Sequence, residues 1–234
     1  SVPRARIVSS DDLYELCWEE IEDAQNLPKH SDCHGFWIVY ADESVAAREA
    51  AKALCAQGVH ARPVCHSGDR KANGAVFIRD PEDMHELSKV VRIAAESEGI
   101  PCLGVIYIAP KHDPSSLDSG LSLESALQSV CAPASQWLRA LDAFAQETGV
   151  APQLCMVTHH GVCVSQSDSA PNPLHTALWG FGRTAALEAP RRFGKLIDLA
   201  DGPEWADALA RTMSFDTNEP QLAVRDVSLF RARL

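Results

Sequence analysis

The sequence predicts an α/β fold: a doubly wound, mostly parallel sheet with helices on both faces. Short apolar runs bounded by turn residues recur along the 234-residue chain. They alternate with stretches of helical periodicity. The runs are apolar at consecutive positions, as strands covered on both faces require. Hydrophobic residues make up 46% and charged residues 23%, an ordinary globular composition that argues against disorder. There is no internal repeat or low-complexity linker, so one domain over residues 1–234 is expected.

The elements follow in order. Leu13 to Trp18 (LYELCW) alternates like a strand, and Phe36 to Ala41 (FWIVYA) is a compact apolar strand between Gly35 and Asp42. Ser44 to Gln57 reads as a helix, with Val45, Ala46, Ala50, Ala53 and Leu54 at helical spacing and Gly58 as its stop. Val59 to Cys65 is the next strand and Gly74 to Arg79 a short one. Asp80 as N-cap and Pro81 at the first helical position open a helix that ends at Gly99. Leu103 to Ala109 is a strongly apolar strand, followed by the polar loop KHDPSSLDSG. A long helix spans Leu121 to Gln146, kinked at Pro133. Leu154 to Val164 is a strand, Leu174 to Glu188 a helix begun by Asn172-Pro173, and Lys195 to Leu199 a strand. A short helix (Glu204 to Met213) and two terminal strands (Gln221 to Arg225, Ser228 to Arg233) complete a Rossmann-like pattern.

Charge narrows the function classes. With 21 basic and 32 acidic side chains the net charge is −11, and no basic cluster occurs. Nucleic acid and anionic membranes are therefore poor partners. No apolar stretch reaches the ~18 residues of a membrane helix, and the N-terminal residues lack the apolar core of a secretory signal. A cytoplasmic protein is expected. None of the eight cysteines has CxxC spacing, so buried free thiols in a reducing compartment are expected. Cys33-His34, Cys65-His66 and His159-His160 look metal-like. Neighbours on a strand point to opposite faces, so such a pair rarely gives two ligands, and no metal site is assigned.

A Rossmann-like pattern invites a search for nucleotide chemistry. Gly180-Phe181-Gly182-Arg183-Thr184-Ala185 matches the letters of the dinucleotide fingerprint G-x-G-x-x-G/A. It lies two turns inside a helix with no strand before it, so helix–sheet packing explains it better. The first strand–helix turn, where the fingerprint belongs, reads YADESVAA. It has no glycine and carries two acids, which repel phosphate. Tyr107-Ile108-Ala109-Pro110-Lys111 spells the Tyr-x-x-x-Lys of short-chain reductases. That chemistry needs a helix, and Pro110 forbids one. On a strand the two side chains stand ~13 Å apart at ~3.3 Å per residue. No catalytic or cofactor-binding residue is assigned.

The result is a nucleotide-binding pattern without the parts that bind a nucleotide. Ala177-Leu178-Trp179-Gly180-Phe181-Gly182-Arg183-Thr184-Ala185-Ala186-Leu187-Glu188, with Pro190 after it, closely resembles the LWGLGR segment of modular polyketide synthase ketoreductases. PQLCMVTHHGVCV resembles their LWLVTRGA strand, GKLIDLAD their GGLVDLP strand, and EPQLAVRDVSLFRARL their AVR…ARL ending. LYELCW and FWIVYAD resemble the opening strand and the pseudo-nucleotide unit. The sequence departs at His159-His160, where Thr-Arg is usual, and at Asp226-Val227, where a glycine is common.

In that family these segments form the structural subdomain, a truncated Rossmann-like half that precedes the catalytic half. The resemblance implies a non-catalytic scaffold that binds no cofactor itself. Its partner, the catalytic subdomain of the same parent polypeptide, would carry NADPH and reduce β-ketoacyl groups on an acyl carrier protein. Adjacent synthase domains would be further partners. The alternatives are the structural half of an inactive pseudo-ketoreductase organising methyltransferase or enoylreductase domains, and a self-contained NAD(P)-dependent reductase using Tyr107, Lys111 and Gly180. The final strands around Val224 and Phe230, or the strand at Leu13 to Trp18, would offer open backbone edges, so weak self-association of the isolated chain is expected.

Overall fold

The computed structural model describes residues 16–22, 24–29, 34–66, 76–81, 83–111 and 122–233. Nine strands form one sheet: β1 (Cys17–Glu20), β2 (Phe36–Ala41), β3 (Ala61–His66), β4 (Val76–Ile78), β5 (Cys102–Ile108), β6 (Gln153–His159), β7 (Phe193–Leu199), β8 (Gln221–Arg225) and β9 (Ser228–Arg233). Their spatial order is β4-β3-β2-β5-β6-β7-β8-β9-β1. All pairings from β4 to β8 are parallel, and only β8–β9 and β9–β1 are antiparallel.

Among the described residues five α-helices cover the sheet: α1 (Ser44–Ala56), α2 (Met84–Glu98), α3 (Leu123–Thr148), α4 (Pro173–Glu188) and α5 (Trp205–Ser214). Successive strand residues enter opposite cores. Ile38, Tyr40, Val105 and Tyr107 pack with α2, α3 and α4, while Val39, Ala41, Ile106 and Ile108 pack with α1 and α5. This two-sided burial is what the uninterrupted apolar runs require. Among the described residues no helix is long and apolar enough to cross a membrane.

Several boundaries differ from the sequence reading, each for a local reason. Helix α2 starts at Met84, because Asp83, not Asp80, is its N-cap: the Asp83 carboxylate accepts the His85 and Glu86 N–H groups. Glu86 reaches back to the backbone N–H groups of Arg79 and Asp80, so the Asp80-Pro81 stretch forms the turn before the helix. Helix α3 starts two residues late, behind a Ser122 cap, and ends at a left-handed Gly149. Strand β6 stops at His159 because His160 takes a positive φ of 48° and turns the chain out of the sheet. The final strands are not edges. Strand β1 pairs with β9 from Cys17↔Arg233 to Glu20↔Phe230, which leaves β1 and β4 as the sheet margins among the described residues. Leu13–Glu15, Gly74–Ala75 and the loop 112–120 lie outside the described residues.

Candidate functional site

In a doubly wound sheet, ligands bind beyond the carboxyl ends of the strands where the strand order reverses. Here that point lies between β2 and β5. The chain leaves β2 for α1 on one face and leaves β5 for α3 on the other. A crevice of about 260 Å³ opens there, lined by Ala41, Asp42, Glu49, Lys111, His159 and Trp205, among others. That is below the ~300–1,000 Å³ of usual ligand sites. Helix α1 begins at Ser44 with Glu43 as N-cap, and the Glu43 side chain makes no capping hydrogen bond. The turn Ala41-Asp42-Glu43 has neither the glycines that admit a pyrophosphate nor a donor side chain to hold one. These residues do not fit a dinucleotide diphosphate.

His159 ends β6 and is only 3% exposed. Among the described residues neither ring nitrogen makes a hydrogen bond of good geometry, although the Ala200 backbone lies close enough to favour the protonated ring. Burial, with the Lys111 ammonium beside it, pushes its pKa down to about 3. The Asp201 carboxylate at 3.6 Å works in the other direction. That pair is an ion pair only if the imidazole is protonated. Burial outweighs Asp201, so the ring is neutral at pH 7. Asp201 pairs instead with Lys111 at 3.1 Å. Burial raises the Asp201 pKa, but the Lys111 ammonium overrides it and holds the carboxyl below its usual range.

His160 also approaches Asp201: its Nε2 accepts the Asp201 N–H at 3.2 Å and stands 3.8 Å from Oδ2. The two histidines thus converge on one residue, against the strand-alternation expectation, because the left-handed backbone at His160 redirects its side chain. Even so, among the described residues no group of three or more His, Cys, Asp or Glu is placed to hold a metal. Cys33 and the side chains of Cys65 and His66 lie outside the described set. The six described cysteines are free thiols. Cys102 and Cys155 are buried as expected, with thiols pushed up to about 12 and about 11 by burial. Cys17, Cys55 and Cys163 are exposed, contrary to the expectation, because they lie on outward faces or in a loop.

Tyr107 is buried, its hydroxyl donates to the Val130 carbonyl of α3 at 2.7 Å, and its ring stacks on Tyr40. Val130 lies on α3 over the sheet, so the phenol ties β5 to that helix. Burial pushes the Tyr107 pKa well above 10. Lys111, four residues on, is held by Asp201. His175 of α4, the one functional-looking side chain sequence reasoning missed, is a buried clasp. Its Nδ1 accepts the His159 N–H at 2.9 Å, and its Nε2 contacts the Pro110 carbonyl at 3.1 Å. The two glycines of the fingerprint-like run sit in mid-helix. Gly182 packs on Leu196 of β7, but Gly180 faces open space, so the packing explanation holds for one of them only.

A family model described as "Polyketide synthase extender module SpnB, Rossmann fold domain" matches residues 41–234. The chain belongs to that family. Pikromycin polyketide synthase component PikAII of Streptomyces venezuelae is 41% identical over 91 residues, 38% of this chain and 2% of that protein. Polyketide synthase GfsA of Streptomyces halstedii is 27% identical over 94% of this chain and 3% of its own length. A solved C2-type ketoreductase from a modular polyketide synthase superposes with a TM-score of 0.64 at 26% identity, covering 94% of this chain and 42% of that one. This SpnB-type Rossmann domain is thus a ketoreductase-like part of a polyketide synthase. It spans a few per cent of the synthases it resembles and under half of the solved ketoreductase.

The residues that carry the resemblance to polyketide synthase ketoreductases meet in space. Asp198 of β7 is fully buried, and its Oδ1 accepts Thr158 Oγ1 at 2.5 Å and the Gly161 N–H at 2.6 Å. Its Oδ2 accepts Arg225 Nη2 at 2.8 Å. Arg225 also donates to Asp168 and to the Val162 carbonyl, and Trp179 Nε1 donates to Thr158 Oγ1. One polar network therefore ties β6, β7, β8, α4 and the 161–168 segment of the SpnB-type domain together.

Proposed function

We propose that this domain is the non-catalytic scaffold half of a polyketide synthase ketoreductase. It stabilises an NADPH-binding catalytic half that reduces β-ketoacyl groups on an acyl carrier protein. The observation that carries this reading is the switch point. The strand order of a dinucleotide-binding fold is present, yet its phosphate turn is Asp42-Glu43 and its crevice is small. The likeness to a modular ketoreductase over 94% of this chain and only 42% of that one supports a partner supplying the rest. The buried, hydrogen-bonded Tyr107 favours this reading over a self-contained reductase.

The test is an NADPH titration of the folded chain, read by tryptophan quenching and energy transfer to the nicotinamide. No saturable change up to ~1 mM, a binding free energy weaker than about −4 kcal/mol, is the expected result. Saturation in the micromolar range overturns the scaffold reading. Coexpression with the catalytic half of its synthase should then raise the melting temperature of that half.

A further inference from the structure

We propose that the groove between α3 and the turn from α4 into β7 binds a small organic oxyanion, a carboxylate or phosphate carried on an apolar body. This goes beyond the scaffold reading and does not rest on it. None of the groove's residues lines the switch-point crevice. The groove has a volume of about 730 Å³, within the ~300–1,000 Å³ of usual ligand sites. Its polar wall is Arg139, Asp142 and Gln146 of α3, Glu188 at the end of α4, and Arg191 and Arg192 of the turn.

Arg192 carries a charge with too few acceptors. Its backbone is fixed on both sides: the N–H donates to the Ala189 carbonyl at 2.9 Å, and the carbonyl accepts the Leu154 N–H of β6 at 2.7 Å. Its side chain is only 14% exposed. The Nε group donates to Asp142 Oδ1 at 3.3 Å, a long hydrogen bond, and Nη1 is buried with no hydrogen-bond partner among the described residues. A guanidinium has five N–H donors, and enclosing one without acceptors is costly. An oxyanion set against it supplies the acceptors it lacks.

The neighbouring groups set the ligand's sign. Asp142 is already engaged, by Arg192 and by Gln146 Nε2 at 2.8 Å. Arg139 and Arg191 are exposed and make no ion pair among the described residues. Glu188 and the carboxyl end of α4 oppose an anion, the helix end with about half a charge. Three guanidiniums against two carboxylates and that helix end leave the groove positive, in a chain whose net charge is −11. A cation would meet three like charges. An oxyanion finds planar forks that match carboxylate and phosphate oxygens two at a time. Met84, Leu138, Ala143, Ala189 and Pro190 line the same groove and give the ligand's body an apolar bed.

Phenyl phosphate and benzoate are the probes, titrated separately into the 234-residue chain while NMR follows the Arg192 Nε–Hε signal and calorimetry follows binding. Saturable one-to-one binding that moves the Arg192 signal is expected, and the tighter probe identifies the head group. Arg191→Gln, an exposed turn position, should weaken binding about tenfold, as loss of one charge-assisted hydrogen bond does. Lys52→Gln, an exposed position of α1 on the other face of the sheet, should leave it unchanged. Inorganic phosphate and acetate, which lack the ring, should bind several-fold more weakly, and equal affinity overturns the apolar bed. No saturation by either probe up to ~10 mM overturns the proposal. So does equal weakening by both variants, which would mean diffuse attraction, and so does phenethylammonium moving the Arg192 signal as strongly. If the groove refuses both probes and the chain refuses NADPH, the groove falls and the scaffold stands.

Discussion

Arg225 shows how much one side chain can hold. Among the described residues it is the sole charged partner of Asp198, which has no exposed surface, and it also engages Asp168 and the Val162 carbonyl. Arg225→Met leaves a buried carboxylate uncompensated and should cost about 3–5 kcal/mol in urea unfolding. Adding Asp198→Leu should recover part of that loss, because the charge that needed pairing is gone. Equal stabilities for the single variant and the native chain would sink this reading. His159 gives a second prediction with a definite sign. Its pKa is about 3 folded against 6.5 unfolded, so below pH 6.5 the unfolded chain binds the extra proton. Stability is complete above pH 6.5 and falls as pH drops from there toward 3. His159→Phe, which keeps a ring against Trp205, should flatten the pH 6.5–4.5 part of that profile in thermal melts. Trp179, Asp198 and Arg225 could be read from the sequence as family letters. Their meeting in one network could not, because they lie far apart along the chain and only the sheet order joins them.

Helix α4 makes the corresponding argument for an element. A Cβ built on Gly182 would sit 2.5 Å from Leu196 Cδ2, and Leu196 is fully buried, so its side chain would have to shift within a packed core. Gly182→Ala should therefore destabilise by about 1–3 kcal/mol. Gly180, two residues earlier, has nothing within 4 Å of such a Cβ. Gly180→Ala should stabilise by about 0.5–1 kcal/mol, since alanine is the better helix former. Melting temperatures moving in opposite directions are the expected readout, and a loss of stability at both positions would refute it. Element types were legible throughout the described chain because each apolar run or helical period has its own signature, as in FWIVYA of β2 and Ser44–Ala56 of α1. Boundaries were less so. Asp80-Pro81 carries the same start signal as Asp83, and only the reach of the Asp83 carboxylate to His85 and Glu86 decides between them. The end of β6 depends on a left-handed His160, a conformation that sequence does not announce outside glycine and asparagine.

The whole molecule is closed by a short strand. β1 has four residues, yet it bonds to β9, whose sequence lies more than 200 positions away, with a contact such as Ser228 to Glu20 spanning 208 residues. Its Trp18 packs edge-on against Trp179 at 5.7 Å, so it also caps the core under α4. The sequence pattern placed an open edge at the final strands or at the first; β1 is a margin and the final strands are not, because pairing between distant strands leaves no trace in local periodicity. The sheet margins that result are short: four residues in β1, bearing Glu19 and Glu20, and three in β4. Short, charged margins resist edge-to-edge pairing, so the intact chain is expected to stay monomeric up to ~100 µM, in contrast to the self-association its sequence suggested. Removing residues 1–20 would expose the six-residue margin of β9 and one side of Trp179 together. That truncated chain should melt at a lower temperature and show a mass that rises with concentration in size-exclusion chromatography with light scattering. A truncated chain that is monomeric and as stable as the full one would mean that β1 is an accessory. An intact chain that dimerises would mean that the acids of β1 do not guard the edge.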